Sequence, residues 1–146
     1  MPFTVTPPWA YTLQLPQDPR GPGIARSTLR TVLAAHGMRR LTAVAELLVS
    51  ELATNAYLYS DAPYTLTLRS TGTGRLRLGV RDSNPRIPAP FRGTGVTPAG
   101  DQDEQGRGLL LVELCADDFG AYPLDTGGGK LLWVECTEPA AGAAVA

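Results

Sequence analysis

Glu51 and Asn55 stand four residues apart in the run Val49-Ser50-Glu51-Leu52-Ala53-Thr54-Asn55-Ala56. On a helix that spacing puts a carboxylate and a carboxamide on one face, looking into the same space. Both fall along one edge of the apolar face, where a polar group is costly without partners. A bound ligand or metal is one way to supply those partners. Two later segments add to the pair. Asp82 closes the alternating run Arg75-Leu-Arg-Leu-Gly-Val-Arg-Asp82, with the parity of Leu76, Leu78 and Val80, so a carboxylate ends the buried face of a strand. In Gly106-Arg107-Gly108-Leu109 glycines open an apolar helix, a geometry that lets backbone N–H groups approach an anion.

The elements that must carry these residues follow from periodicity. A helix is expected from Leu41 to Tyr59, with Leu41, Val44, Ala45, Leu48, Leu52, Ala56 and Tyr59 inward. Ser60-Asp61-Ala62-Pro63 closes it and leads into a strand, Tyr64 to Ser70; Thr71-Gly72-Thr73-Gly74 turns into the strand that ends at Asp82. Upstream, Ala10–Leu15 reads as a first strand, 17–23 as a loop, and Ile24–His36 as a helix with Ile24, Leu29, Val32 and Leu33 inward, ended by Gly37. Residues 83–105 are polar and rich in Pro and Gly, a length of loop that is usually functional or disordered. A short helix from Gly108 to Cys115 and strands Phe119–Pro123 and Lys130–Cys136 complete the pattern, with the 125–129 segment as a hairpin turn. The expected fold class is α+β: a two-layer sandwich with helices on one face of a mixed, mostly antiparallel sheet. The expected organisation is an arm and first strand over 1–23, one domain over 24–137 and a disordered tail over 138–146.

Composition narrows the function classes. The chain has 146 residues, 43% hydrophobic and 18% charged, which suits one ordinary globular domain. A formal net charge of −1 gives no support to broad binding of nucleic acid or anionic lipid. No secretory leader pattern and no long apolar stretch is found, so no membrane span is expected. Cys115 and Cys136 show neither metal nor disulfide spacing and read as buried thiols in a cytoplasmic setting. His36, the single histidine, sits beside Gly37 at a helix end and reads as structural.

Taken in order, these motifs resemble the ATP-binding fold shared by DNA gyrase and histidine kinases. The short single-domain form is most similar to the bacterial anti-sigma-factor serine/threonine kinases. Ser50-Glu51-Leu52-Ala53-Thr54-Asn55-Ala56 resembles the N box, Asp82-Ser83-Asn84-Pro85 a degenerate first glycine box, and Gly106-Arg107-Gly108-Leu109 the second. Ala25-Arg26-x-x-Leu29-Arg30 and Gly129-Lys130-x-x-Trp133 add to the likeness. The resemblance implies ATP and Mg²⁺ as ligands. Asn55 would offer a carbonyl oxygen to the ion, Glu51 would accept a proton from the attacking hydroxyl, and Asp82, with Asn84 beside it, would meet the adenine amino group. Gly106, Arg107, Gly108 and Leu109 would hold phosphate, and the 83–105 loop would be a nucleotide lid. The implied partners are an anti-anti-sigma protein of the STAS type and a sigma factor, with homodimerisation possible and DNA affected only indirectly.

Other readings stay open. Glu51 and Asn55 could cap neighbouring loops, Asp82 could be a turn aspartate, and Gly106–Gly108 an ordinary loop. The chain departs from the family where Asp82-Ser83-Asn84-Pro85-Arg86 replaces flexible glycines, where Tyr59 replaces a common histidine, and where Lys130-Leu131 replaces a hydroxyl residue near adenine. The functional alternatives are a protein kinase, a binding module that sequesters a sigma factor or regulator with ATP structural or absent, and, more weakly, a plain ATPase.

Overall fold

Leucine alternation in the two central strands builds the core of this protein. The computed structural model describes residues 8–92, 109–125 and 128–139. The elements are β1 (Ala10–Leu15), α1 (Gly21–Ala35), a 3-10 turn at Arg39–Leu41, α2 (Thr42–Tyr59), β2 (Tyr64–Gly72) and β3 (Arg75–Asp82). A second 3-10 turn at Ala89–Arg92, then α3 (Leu110–Cys115), β4 (Asp118–Pro123) and β5 (Lys130–Thr137) follow. The strands form one sheet in the order β1-β2-β3-β5-β4. Every pairing is antiparallel rather than mixed, because β5 enters by a hairpin from β4 and lies between β4 and β3.

Register stacks apolar residues into continuous rows. Leu66 faces Val80 and Val80 faces Leu132; Leu68 faces Leu78 and Leu78 faces Val134. All of these side chains are buried under α1 and α2. Burying each one contributes about 1.5–3 kcal/mol before entropy is counted. The last step of the β3–β5 ladder sets Asp82 opposite Lys130, both on the helix-covered face. The other face carries Thr65, Thr67, Arg77, Arg81, Leu131 and Trp133 along a shallow groove of about 390 Å³.

Helix α2 is buried on more than one face. Val49, Ala53 and Asn55 join the expected Ala45, Leu48, Leu52 and Ala56 in the interior, since α2 packs on α1 and α3 as well as on the sheet. It stops at Tyr59 because Ser60 turns extended and Ala62 precedes a proline, which disfavours helical backbone.

Helix α1 corrects the expectation at its start. It begins at Gly21 rather than Ile24, with Pro22 in its first turn, where a missing N–H costs nothing. Gly21 and Pro22 are buried and Ile24 is 47% exposed. A Cβ at Gly21 would lie 2.6 Å from the Tyr64 hydroxyl, so only glycine fits. The expected boundary at residue 23 therefore falls inside α1, and the expected first strand, β1, is an edge strand of the sheet. Part of the expected 83–105 loop is also fixed: Phe91 is buried and meets Phe119 edge-on at 5.4 Å. Residues 93–108 and the tail from 140 lie outside the described residues.

Candidate functional site

Asn55 lies in the second turn from the α2 C-terminus and is 5% exposed. Its Oδ1 is buried and has no hydrogen-bond partner among the described residues. A buried amide oxygen left in that state costs about 1–3 kcal/mol. Neighbouring Leu52 and Ala56 are fully buried core residues, so helix packing fixes where this oxygen points. Glu51, one turn earlier, is half-buried, and burial raises its carboxyl pKa above the ordinary glutamate value. The preceding Ser50 hydroxyl accepts a 2.8 Å hydrogen bond from the Arg26 guanidinium, which ties α1 to α2 beside the acid. Arg30 pairs with Glu46 at 3.0 Å on the same seam.

A different arrangement stands at the end of β3. Lys130 Nζ donates to Asp82 Oδ1 at 3.0 Å, to Asp82 Oδ2 at 3.1 Å and to the Asn84 carbonyl at 3.0 Å. An ammonium has three N–H groups, and all three are used. Asp82 Oδ1 also accepts the Asn84 N–H at 2.8 Å. The side chains are 0% exposed for Lys130 and 2% for Asp82. Asn84 completes the knot: its Nδ2 donates to the Tyr59 carbonyl at 2.6 Å, capping the end of α2, and its Oδ1 accepts the Arg86 N–H at 2.9 Å. The Asx turn at Asn84 and the cap of α2 thus share one side chain. Gly129 lies against this turn, and a Cβ there would collide with the Asp82 carbonyl oxygen.

The structure places the remaining candidates as follows. Leu109 is 1% exposed, precedes α3, and its carbonyl accepts the Val112 N–H at 3.0 Å, so it is a core residue of the site wall. Gly106, Arg107 and Gly108 lie outside the described residues. His36 ends α1, with its ring stacked on Trp9 at 4.4 Å and Nε2 2.7 Å from the Tyr11 hydroxyl. Leu131 points to the open groove on the far face, so it is Lys130, not Leu131, that faces the Asp82 end.

Lys130 is the residue that sequence reasoning missed. A signal existed: it has the parity of Leu132, Val134 and Cys136, so a lysine opens the buried face of a strand. Among the described residues no group of three or more His, Cys, Asp or Glu could hold a metal by itself. Mg²⁺ readily takes one or two protein oxygens plus phosphate and water oxygens, and the orphaned Asn55 Oδ1 fits one such position. No helix among the described residues is long and apolar enough to cross a membrane.

Comparison with known proteins bears on the fold. The histidine kinase-like ATPase domain matches residues 15–135. An uncharacterized protein of Streptomyces coelicolor is 41% identical over 58 residues, which are 40% of this chain and 51% of the relative. The match thus spans about half the length of that curated relative.

Proposed function

This chain belongs to the histidine kinase-like ATPase domain family, an ATP-binding domain, and from that premise we propose that it is an anti-sigma kinase. It binds Mg-ATP beside the Asn55 face of α2. It then transfers the γ-phosphoryl group to a serine or threonine of a STAS-type anti-anti-sigma partner, in a cytoplasmic switch that governs a sigma factor.

The observation that carries this reading is the buried Asn55 Oδ1, one helical turn beyond Glu51 and without a partner among the described residues. When bound, Mg²⁺ neutralises charge on the β- and γ-phosphates. Asn55 supplies a neutral oxygen toward that ion, at a place where the free protein leaves a polar atom unsatisfied. Glu51 accepts the proton of the partner's hydroxyl as its oxygen bonds to the γ-phosphorus and the bond to the β-phosphate bridging oxygen breaks. Burial favours that role, because a raised carboxyl pKa makes Glu51 a stronger base.

Titration calorimetry with ATP and Mg²⁺ tests the binding half. Magnesium-dependent binding that vanishes in Asn55→Ala supports the site, and equal binding by that variant overturns it. Labelled-phosphate transfer to a serine-bearing STAS-type domain tests the chemistry.

One observation favours the second reading, a sigma-binding module without transfer. Asp82, which the resemblance would assign to adenine, already has both oxygens engaged by Lys130.

A further inference from the structure

We propose that Lys130 is the residue that sets nucleotide selectivity in this chain. By pairing with Asp82 it silences the base slot, so nucleotides bind through their phosphates with no preference among bases. The inference rests on the nucleotide-binding reading above and deepens it.

Asp82 and Lys130 face each other at the final step of the β3–β5 ladder. The ammonium spends two N–H groups on Asp82 Oδ1 and Oδ2 and the third on the Asn84 carbonyl. Asp82 Oδ1 additionally holds the Asn84 N–H. An adenine amino group reaching Asp82 meets a carboxylate that the ammonium already neutralises, with one Oδ2 acceptor site left and the side chains 0% and 2% exposed, so packing shields that site. To reach it the base must open the buried ion pair, and that cost offsets what the new bond provides. A keto base gains nothing either, because no Lys130 N–H is spare. The clasp is also held from outside: Gly129 packs on the Asp82 carbonyl, and the Asn84 amide holds the turn to the Tyr59 carbonyl. The phosphate end is independent of it, since Asn55 lies on α2 and its Oδ1 has no partner among the described residues.

Freeing Asp82 restores a charged acceptor for an exocyclic amino group. A hydrogen bond to a charged group is worth about tenfold or more in affinity. Lys130→Thr removes the ammonium and opens space beside Asp82.

The test is equilibrium dialysis with ATP, GTP and CTP in Mg²⁺, on the unmodified protein and on Lys130→Thr. The expected result is dissociation constants within about threefold of one another in the unmodified protein, and an ATP-over-GTP preference of about tenfold or more in Lys130→Thr. A tenfold ATP preference in the unmodified protein overturns the inference, since Asp82 would then read adenine despite Lys130. A folded Lys130→Thr protein that binds all three nucleotides without preference also overturns it, while the nucleotide-binding reading stands. Absence of binding in both proteins at millimolar nucleotide overturns both. Should Lys130→Thr fail to fold, the neutral double variant Asp82→Asn with Lys130→Met decides. It should hold ATP and GTP within about threefold of the unmodified protein, because neither residue reads the base there. A tenfold loss of ATP alone overturns the inference.

Discussion

The two ends of the site handle buried polar groups in opposite ways. On α2, Asn55 presents an acceptor that nothing among the described residues satisfies, and Glu51 is left partly desolvated. At the β3 end, Asp82 is as buried as Asn55 and Lys130 is fully buried, yet the ammonium is fully bonded. An unsatisfied buried group is a standing cost that a ligand can remove, and a satisfied one resists any ligand that would disturb it. The α2 end is therefore built to receive, and the β3 end to hold itself together.

Substitutions can break that contrast, and the largest effect should come at Glu51. Glu51→Gln should lower phosphoryl transfer about 100- to 10,000-fold with nucleotide affinity unchanged, read by labelled transfer beside calorimetry. Loss of binding in proportion to transfer would assign Glu51 to positioning the nucleotide instead. Next comes Lys130→Met, which leaves Asp82 charged and unpaired in the interior. It should cost about 3–5 kcal/mol in urea unfolding, because the desolvated carboxylate loses its counter-ion. A loss below about 1 kcal/mol would mean the pair behaves as a surface ion pair.

Asn55→Leu should act in the reverse sense on stability. Replacing an orphaned amide oxygen by an apolar group of similar size should raise unfolding free energy by about 1 kcal/mol while removing magnesium-dependent binding. A variant that is strongly destabilised would show that the amide makes bonds the fold depends on. The smallest effect concerns pH. Burial raises the Glu51 pKa, so the folded state holds that proton more tightly than the unfolded state. Its contribution to stability is full below the ordinary glutamate value of 4.5 and is lost as pH rises through the raised folded value. Glu51→Gln should thus gain slightly on the unmodified protein as pH climbs through that window, by an amount that solvent screening keeps small. Thermal melts across that range would check it, and parallel curves would deny the shift.

Much of the scaffold was legible because it depends on short-range periodicity. Asp82 shares parity with three apolar residues, so its inward direction followed from the strand alone. The hairpin at Gly74 follows the same logic, since its φ of +69° suits glycine in a tight turn. Elsewhere tertiary contacts overruled local pattern. Ile24 fits an inward helical position on paper, yet α1 starts early enough to bury Gly21 and Pro22 and turn Ile24 outward. Val49 and Ala53 are buried because α2 has neighbours on several sides, which no single-helix wheel contains. Asn84 looked like a ligand of the base and is instead the cap of a helix that ended 25 residues earlier.

By itself, the sequence determined the element types, the inward direction of Glu51, Asn55 and Asp82 toward the core side, and the family that those spacings resemble. These are properties of neighbours three, four or two residues apart, fixed by the geometry of helix and strand. Only the tertiary structure decided which of the buried polar groups would find partners. Asp82 and Lys130 lie 48 residues apart and meet because β5 pairs with β3 in one register. That register decides which polar groups pair across the ladder, and here it joined Asp82 to Lys130 while Asn55 Oδ1 on α2 was left without a partner among the described residues.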